Sequence, residues 1–353
     1  MMSVLEEDLR TIAAASLPWH LLRNRRLLIT GANGFLPSYM VETALHLNER
    51  HNAGIEILAL VRDRAKAERR FGGKPIHYIV QDVRDPYTGP RDVDFIVHAA
   101  SQASPRYLGS DPVGTFEANV SGTRHMLELA HTAKAQSLLY FSSGEVYGSI
   151  EPTRIPTAEH TYGELDPLNV RCSYGEAKRA GESLSICWWK QHGVPVKIVR
   201  PFHTYGPGMA LDDGRIFADL VADVVARRNL KLNSDGLATR AFCYLADATI
   251  AFFKVLLEGE NGQAYNVGSP NETSIRNLAG ILCGLYPERG LGVEYARRDD
   301  ASTYIPSTIS RSCPDIGRLR ALGWEPRTSI ADGFARTIRW AERALADQEG
   351  KTA

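Results

Sequence analysis

Short apolar segments alternate with longer segments of helical periodicity along the first two hundred residues. A short helical segment comes first and ends before Pro18. Apolar runs typical of strands follow at residues 27–30, 55–61, 76–80, 95–99, 137–142 and 196–200. Helical patterns separate these runs, among them residues 38–47, about 111–133 and the segment that starts near Tyr174. The order of the segments therefore predicts strands and helices in regular alternation.

Such alternation is typical of a parallel sheet with helices on both faces. The run 57–61 is apolar throughout, which favours a strand buried on both sides. We therefore predict an α/β fold, a Rossmann-like doubly wound parallel sheet with a smaller C-terminal α/β substrate lobe. The predicted division is a lead-in helix (1–24), a dinucleotide-binding domain with the catalytic residues (25–204) and the substrate lobe (205–345). Some strands and helices of the lobe are expected to return to the first domain.

Composition narrows the range of partners. Lys and Arg together number 41, as do Asp and Glu, so net charge favours neither nucleic acid nor an anionic membrane as a partner. The five cysteines are scattered without Cys-x-x-Cys spacing, which predicts buried thiols in a reducing cytoplasm and no metal site. We find no apolar run long enough to span a bilayer and no signal peptide.

A glycine turn follows the first predicted strand. Gly31 and Gly34 lie between that strand and a helix, where bare backbone amides can approach a pyrophosphate at the positive end of the helix. Pro37 stands where a third small residue is usual, and a first helical turn tolerates proline. The turn therefore predicts a dinucleotide cofactor.

The ends of the next two strands leave the type of cofactor open. Asp63 could accept hydrogen bonds from the ribose hydroxyls of NAD, whereas Arg62 could pair with the additional phosphate of NADP. Asp82 follows the third strand and could accept a hydrogen bond from the adenine amino group. NAD and NADP both remain possible at this point.

Tyr174 and Lys178 lie four residues apart, downstream of Ser143. This spacing puts both side chains on one face of a helix. An ammonium beside a phenol is expected to lower the pKa of the tyrosine towards neutrality. The tyrosine could then take the proton of a carbinol while hydride leaves the same carbon for a nicotinamide, with Ser143 holding the hydroxyl.

The chain resembles the extended short-chain dehydrogenase/reductase family, which contains NAD-dependent nucleotide-sugar epimerases, dehydratases and decarboxylases. The likeness extends over about residues 25–342. Its motifs are residues 29–35, 98–105, 142–148, 174–178, 200–207, 213–215, 239–244, 265–268 and 322–326. The UDP-glucuronate decarboxylases resemble it most, notably in the loop before Tyr107 and in residues 213–215 and 239–242.

The resemblance implies roles for individual residues. Ser143, Tyr174 and Lys178 would form the catalytic triad, with Glu145 near sugar C5. The cofactor, tightly bound and recycled, would also contact Asn33, Phe35, Leu36, Val83, Ala99, Ala100 and Ser101. A nucleotide-diphosphate sugar would contact Tyr107, Gly144, His203, Arg215, Arg240, Asn266 and Arg311, the two arginines at 215 and 240 gripping its diphosphate. A homodimer paired through the helices near 111–133 and 174–192 is also implied.

Three reactions on this scaffold remain in contention. Every branch of the family first oxidises sugar C4, and Glu145 fits a decarboxylase or a 4,6-dehydratase. Gly144 stands where a dehydratase carries an acid, which counts against loss of water. We therefore rank decarboxylation first, 4-epimerisation second and dehydration third. A non-catalytic NAD(P)-binding protein is the alternative from another class, and the intact Ser143, Tyr174 and Lys178 argue against it.

Overall fold

The computed structural model describes residues 2–104, 110–295 and 310–352. Its strands are β1 Arg26–Thr30, β2 Glu56–Val61, β3 His77–Val80, β4 Phe95–His98, β5 Ser137–Phe141, β6 Val196–Pro201, β7 His203–Tyr205, β8 Leu230–Leu232, β9 Thr239–Tyr244, β10 Ala264–Val267, β11 Glu272–Ser274, β12 Val293–Tyr295 and β13 Arg311–Ser312. Its helices are α1 Val4–Ala13, α2 Phe35–His51, α3 Arg64–Phe71, α4 Pro112–Ala133, α5 Ser173–His192, α6 Ile216–Val225, α7 Leu245–Glu258, α8 Ile275–Leu285, α9 Gly317–Ala321 and α10 Ile330–Thr352.

Seven parallel strands form the central sheet, in the order β10-β6-β5-β4-β1-β2-β3. Alternate residues of β1 enter different cores: Leu27 and Ile29 pack under α2 and α7, and Leu28 packs under α4. The predicted doubly wound α/β fold is thereby confirmed. Because successive strands leave β1 in opposite directions, the carboxyl ends of β1 and β4 border a crevice, the usual ligand site of such sheets.

The remaining strands form two smaller sheets in the C-terminal lobe. Strand β9 pairs with β11, β13 and β7, and β12 pairs with β8. Tyr205 stacks on Phe334 at 3.9 Å between ring centres in the core of this lobe. Only Phe202 separates β6 of the first sheet from β7 of the second, so the predicted boundary at residue 204 falls within a strand. None of the helices in the described ranges is long and apolar enough to cross a membrane.

Helix α1 is fixed to both lobes by a buried carboxylate. Asp8 is 1% exposed and accepts hydrogen bonds from Tyr39 of α2 at 3.1 Å and from Tyr244 at 2.7 Å. Arg336 of α10 donates to its other oxygen at 2.9 Å. The N-terminal helix therefore belongs to the body of the protein, since its carboxylate joins α2, the end of β9 and α10.

Asp8 is expected to make stability depend on pH. Burial raises its pKa to about 6, against the hydrogen bonds from Tyr244 and Tyr39 and the charge of Arg336. Between pH 3.8 and about 6 the folded state then holds a proton that the unfolded chain releases, so this contribution to stability falls as pH rises. Denaturant unfolding of Asp8→Asn and wild type should show wild type gaining about 2.4 kcal/mol relative to the variant between pH 7.5 and 4. A difference that stays constant with pH would contradict this assignment.

Candidate active site

The glycine turn takes the geometry that a pyrophosphate site needs. Gly31 has a φ of +63°, and a Cβ there would lie 2.8 Å from Cα of Ala100 on the neighbouring loop. Gly34 caps helix α2, which begins at Phe35, and Pro37 falls in its first turn. The first turn of α2, with Phe35 and Leu36 after Asn33, therefore opens directly onto the crevice between β1 and β4.

The loop after β4 is anchored to the end of β1. The hydroxyl of Thr30 accepts hydrogen bonds from the amides of Ala99 at 3.1 Å and Ala100 at 3.0 Å, and it contacts Nδ1 of His98 at 2.9 Å. The next side chain, Ser101, has a buried hydroxyl without a hydrogen-bond partner among the residues that the structure describes. A glycine cradle beside an unused hydroxyl at the start of a helix fits a dinucleotide, for which Gly31, Gly34, Ala99, Ala100 and Ser101 would supply the contacts.

The acids predicted at the ends of β2 and β3 already have protein partners. Asp63 caps α3 by accepting from the amide of Lys66 at 2.9 Å, beside an exposed Arg62. Asp82 accepts from the guanidinium of Arg84 at 3.0 and 3.1 Å; although burial opposes it, this hydrogen bonding lowers the pKa of Asp82. Val83 is buried against α4, where a Cβ at Gly122 would lie 2.9 Å from its side chain. Cofactor contact by Asp63, Asp82 and Val83 remains a prediction.

The structure brings the four predicted catalytic residues together. Ser143 follows β5 and caps the 3-10 helix Gly144–Tyr147, which carries Glu145. Its hydroxyl lies close enough to the phenol of Tyr174 to lower the pKa of that phenol. Tyr174 lies in the first turn of α5. One turn later, the ammonium of Lys178 lies 5.8 Å from the centre of the Tyr174 ring. A hydroxyl, a phenol, an ammonium and a carboxylate thus converge at the carboxyl edge of the sheet.

The pKa of Tyr174 differs from the sequence-based expectation. Burial raises it to about 12, whereas the hydrogen bond with Ser143 and the charge of Arg215 lower it. Burial also lowers the pKa of Lys178 to about 7, and its ammonium donates to the carbonyl of Phe141 at 2.5 Å. Spacing correctly places the ammonium beside the phenol, but the loss of water on burial has the largest effect on the pKa of each group.

Several residues predicted to bind substrate lie on the lobe side of this site. Burial, followed by the charges of Arg240 and Arg215, lowers the pKa of His203 to about 3, so its imidazole is neutral. Its Nδ1 is buried and has no hydrogen-bond partner within the described ranges. Arg215 contacts Asp213 at 3.1 Å and donates to the carbonyl of Ala103 at 3.2 Å. Two cations and an unused ring nitrogen form a suitable surface for an anionic group.

Gly144 and Arg311 line a common cavity with Tyr147 and Phe202. A Cβ at Gly144 would lie 3.3 Å from the ring of Phe202, so a larger side chain would require that ring to move. Arg311 is held by Glu272 through hydrogen bonds of 2.7 and 2.9 Å, and these lower the pKa of the carboxyl. The guanidinium of Arg311 is therefore largely engaged by the protein.

Asn266 occupies a structural position that the sequence pattern did not predict. It is 0% exposed, and its amide nitrogen donates to the carbonyls of Thr157 and Asp315, both at 2.9 Å. Its side-chain oxygen accepts from Tyr147 at 2.6 Å. Because the side chain is fully occupied within the protein, substrate contact would require these bonds to break. Tyr107, predicted to contact substrate, lies outside the described residues.

Several charged residues around the catalytic groups were not predicted from the sequence. Arg171 lies 3.6 Å from the carboxylate of Glu145, and Arg179 and Arg200 donate to the segment around Tyr147. Two of them carried a local signal: Arg179 directly follows Lys178, and Arg200 begins the motif at residues 200–207. The partners of Arg200 are distant in sequence, and no pattern along the chain connects them.

Comparison with known proteins agrees with this geometry. The model of the NAD-dependent epimerase/dehydratase family matches residues 27–268. UDP-glucuronic acid decarboxylase 6 of Arabidopsis thaliana is 33% identical over 88% of this chain and 87% of that protein. The dTDP-glucose 4,6-dehydratase of Streptomyces venezuelae, solved with NAD bound, is 26% identical and superimposes with a TM-score of 0.75 over 91% of this chain and 98% of that one. An epimerase of Methanothermobacter thermautotrophicus, 22% identical, gives 0.79 over 93% and 95% of the two chains.

The resemblance inferred from the motifs is thereby confirmed, as is the prediction of an enzyme that uses NAD or NADP, and the family match favours NAD. In the structure, the residues predicted to be catalytic lie beside the crevice and the glycine cradle. This chain belongs to the NAD-dependent epimerase/dehydratase family.

Proposed function

We propose that this enzyme decarboxylates the uronic acid of a nucleotide-diphosphate sugar, UDP-glucuronate, to the corresponding pentose. NAD, when bound, would supply the nicotinamide that accepts hydride from sugar C4 and gives it back. Tyr174 in its phenolate form accepts the proton of the C4 hydroxyl, and Ser143 holds the oxygen. In the resulting 4-ketone the bond between C5 and the carboxylate breaks, carbon dioxide leaves, and the electron pair of that bond is delocalised onto the C4 oxygen. A proton from solvent then adds to C5, and Tyr174 gives its proton to the C4 oxygen when hydride comes back to C4.

One observation carries this proposal: the carboxylate of Glu145 acts on Tyr174, and the residue before it, Gly144, carries no acid. The charge of Glu145 raises the pKa of Tyr174, after the larger effect of burial, so the two groups are electrostatic neighbours. Position 144 is glycine, and the Phe202 ring lies against it. Glu145 can therefore act near C5, while the acid that would protonate a departing C6 hydroxyl is missing from position 144.

The nucleotide diphosphate is assigned to Arg215 and Arg240. Guanidinium groups grip phosphate oxygens bidentately, and both arginines act electrostatically on His203. Because Arg215 also acts on Tyr174, a diphosphate held there would place the sugar near the base. The curated relative from Arabidopsis thaliana is named for UDP-glucuronic acid, which supports the uridine nucleotide and the acidic sugar.

Epimerisation at C4 is the second candidate. Arg311 is predicted to contact the substrate, but its guanidinium is hydrogen-bonded to Glu272 and is therefore less available to a substrate carboxylate. Purified protein incubated with UDP-glucuronate, without added cofactor, distinguishes the two by mass spectrometry. We expect a product lighter by carbon dioxide, which would also support a retained and recycled NAD. A product of unchanged mass with inverted C4 would favour epimerisation, and loss of water would favour dehydration.

Glu145→Gln should lower kcat by about 100-fold, the scale of a lost acid-base group, with KM changing by less than about threefold. Its matched control is Glu164→Gln, an exposed glutamate that lies at a loop bridge with Ser149. That variant should keep the wild-type kcat. An equal loss of nucleotide-sugar affinity in Glu145→Gln would indicate a binding role for Glu145.

A homodimer is proposed through the paired helices α4 and α5. These helices pack along each other on one face of the sheet. Near their N-terminal ends, apolar side chains are exposed: Phe116 is 41%, Val113 67% and Leu168 94% exposed. We expect sedimentation to show a dimer for wild type and a monomer for Phe116→Asp with Leu168→Asp; a monomeric wild type would refute the proposal.

All five cysteines are free, but the predicted burial holds only for Cys243 and Cys313, and Cys187 is exposed. Free thiols support a cytoplasmic location.

A further inference from the structure

Two arginines fasten the 3-10 helix Gly144–Tyr147 to its surroundings. Arg179 of α5, directly after Lys178, donates to the carbonyl of Val146 at 2.6 Å and to that of Gly163 at 2.7 Å. The backbones also approach closely, because a Cβ at Gly175 would lie 2.9 Å from the carbonyl oxygen of Glu145. The segment that carries Glu145 is thus packed directly on the helix that carries the base.

Arg200 makes the longer connection from β6. It is 5% exposed and binds Glu182 of α5 through two hydrogen bonds, of 2.8 and 2.6 Å. Its remaining terminal nitrogen donates to the hydroxyl of Tyr147 at 2.9 Å and to the carbonyl of Glu159 at 2.8 Å. Tyr147 in turn donates to Asn266 at 2.6 Å. One buried guanidinium therefore touches α5, the 3-10 helix and the loop at residue 159.

Both ends of this connection lie close to catalytic groups. Glu182 is one helical turn after Lys178, and Tyr147 is two residues after Glu145 and four after Ser143. We propose that Arg200 is a positioning residue, which holds Ser143 and Glu145 in register with Tyr174 and Lys178 through Tyr147 and Glu182. This inference depends on the proposed function only because that reaction supplies the assay for kcat.

The ion pair of Arg200 and Glu182 also affects the electrostatic environment of Lys178. Four side chains face the ammonium of Lys178. Tyr174 and Glu182 lie on the same helix, and the ring centre of Tyr140 in β5 lies 5.2 Å from the ammonium nitrogen. The fourth is His98 of β4, whose imidazole is neutral because burial lowers its pKa to about 3. Burial lowers the pKa of Lys178, and the charge of Glu182 raises it. Arg200 faces Glu182 from β6, so removing that carboxylate would leave Lys178 exposed to an uncompensated guanidinium.

Tyr147→Phe tests the connection with the loss of one oxygen atom. We expect kcat to fall by about tenfold or more and KM to change by less than about threefold, because a small displacement of the reacting groups costs mainly turnover. Tyr244→Phe is the matched control, since it removes another buried hydroxyl hydrogen-bonded at 2.7 Å, that to Asp8. This control should lose thermal stability to a similar extent and keep its kcat.

Glu182→Gln tests the electrostatic part through the pH dependence of kcat. A lower pKa of Lys178 should move the alkaline limb of the profile down by about one pH unit, because the ammonium is lost earlier. Arg200→Lys should recover part of the activity that Arg200→Met loses, since it restores the charge without the paired hydrogen bonds. Denaturation curves establish that each variant is folded.

Unchanged kcat in folded Tyr147→Phe, together with an unshifted pH profile in Glu182→Gln, would overturn the inference. These variants can be compared in whichever reaction wild type performs on a nucleotide sugar, because loss of carbon dioxide, epimerisation and loss of water all begin with oxidation at C4. Failure of wild type to release carbon dioxide therefore refutes the proposed function alone.

Discussion

Replacing Tyr174 by phenylalanine is expected to lower kcat by at least about 100-fold, the contribution of a positioned acid-base group. Its phenol lies beside Ser143 and has Lys178 on the same helical face. Without this oxygen, the C4 hydroxyl loses the group that is positioned to accept its proton. Binding of NAD and of the nucleotide sugar should stay within about threefold of wild type, because the ring itself remains. Steady-state kinetics and calorimetric titration measure the two effects separately.

Tyr87→Phe is the matched control for that experiment. Its hydroxyl is buried and lacks a hydrogen-bond partner in the described parts of the chain, and it lies in another region, beside Gly89. This variant should keep the wild-type kcat. Turnover of Tyr174→Phe close to that of Tyr87→Phe would end the assignment of Tyr174 as the base.

Gly31→Ala is expected to weaken NAD binding by about 100-fold or more. The added Cβ would lie 2.8 Å from Cα of Ala100, a backbone atom that can move only with the loop after β4. Positive φ adds strain of about 1–2 kcal/mol for a residue with a Cβ. Because both effects act at the glycine cradle, they displace Ala99, Ala100 and Ser101 together. Titration with NAD, and the nucleotide content of the purified protein, provide the measurement.

Gly72→Ala separates backbone strain from the clash. Gly72 also has a φ of +63°, but a Cβ added there would have no heavy atom of the described residues within 4 Å. We expect Gly72→Ala to lose about 1 kcal/mol of stability and to keep its affinity for NAD. Equal NAD affinities for Gly31→Ala and Gly72→Ala would exclude Gly31 from the cofactor site.

Sequence alone predicted the elements that carry a strong local pattern. The strands at 27–30, 55–61 and 196–200 were identified to within about one residue of β1, β2 and β6, because each is a short segment rich in aliphatic residues. Helix α2 proved longer than the predicted 38–47, since Gly34 caps it and Phe35, Leu36 and Pro37 continue it at the first turn. The tyrosine and lysine were likewise accessible, because helical spacing alone sets their common face.

Contacts between distant segments could not be predicted in this way. Arg200 and Tyr147 are 53 positions apart, and Asp8 and Tyr244 are 236 apart, so no periodicity links them. The direction of the Tyr174 pKa shift was mistaken for a related reason: spacing reveals the neighbouring ammonium but not the loss of water on burial. The apolar environment of a site is a property of the whole fold.

Strand β10 lies at one edge of the main sheet, although the chain has already built β7, β8 and β9 elsewhere. During synthesis, more than sixty residues must follow β6 before β10 is available to pair with it. Until then β6 presents unpaired amides and carbonyls, an open template for association with other chains. A fragment that ends at residue 204 would lack β10, so the outer edge of β6 would stay unpaired. The first lobe therefore needs the later part of the chain to complete its sheet, and we expect that the lobes cannot be exchanged separately between related proteins.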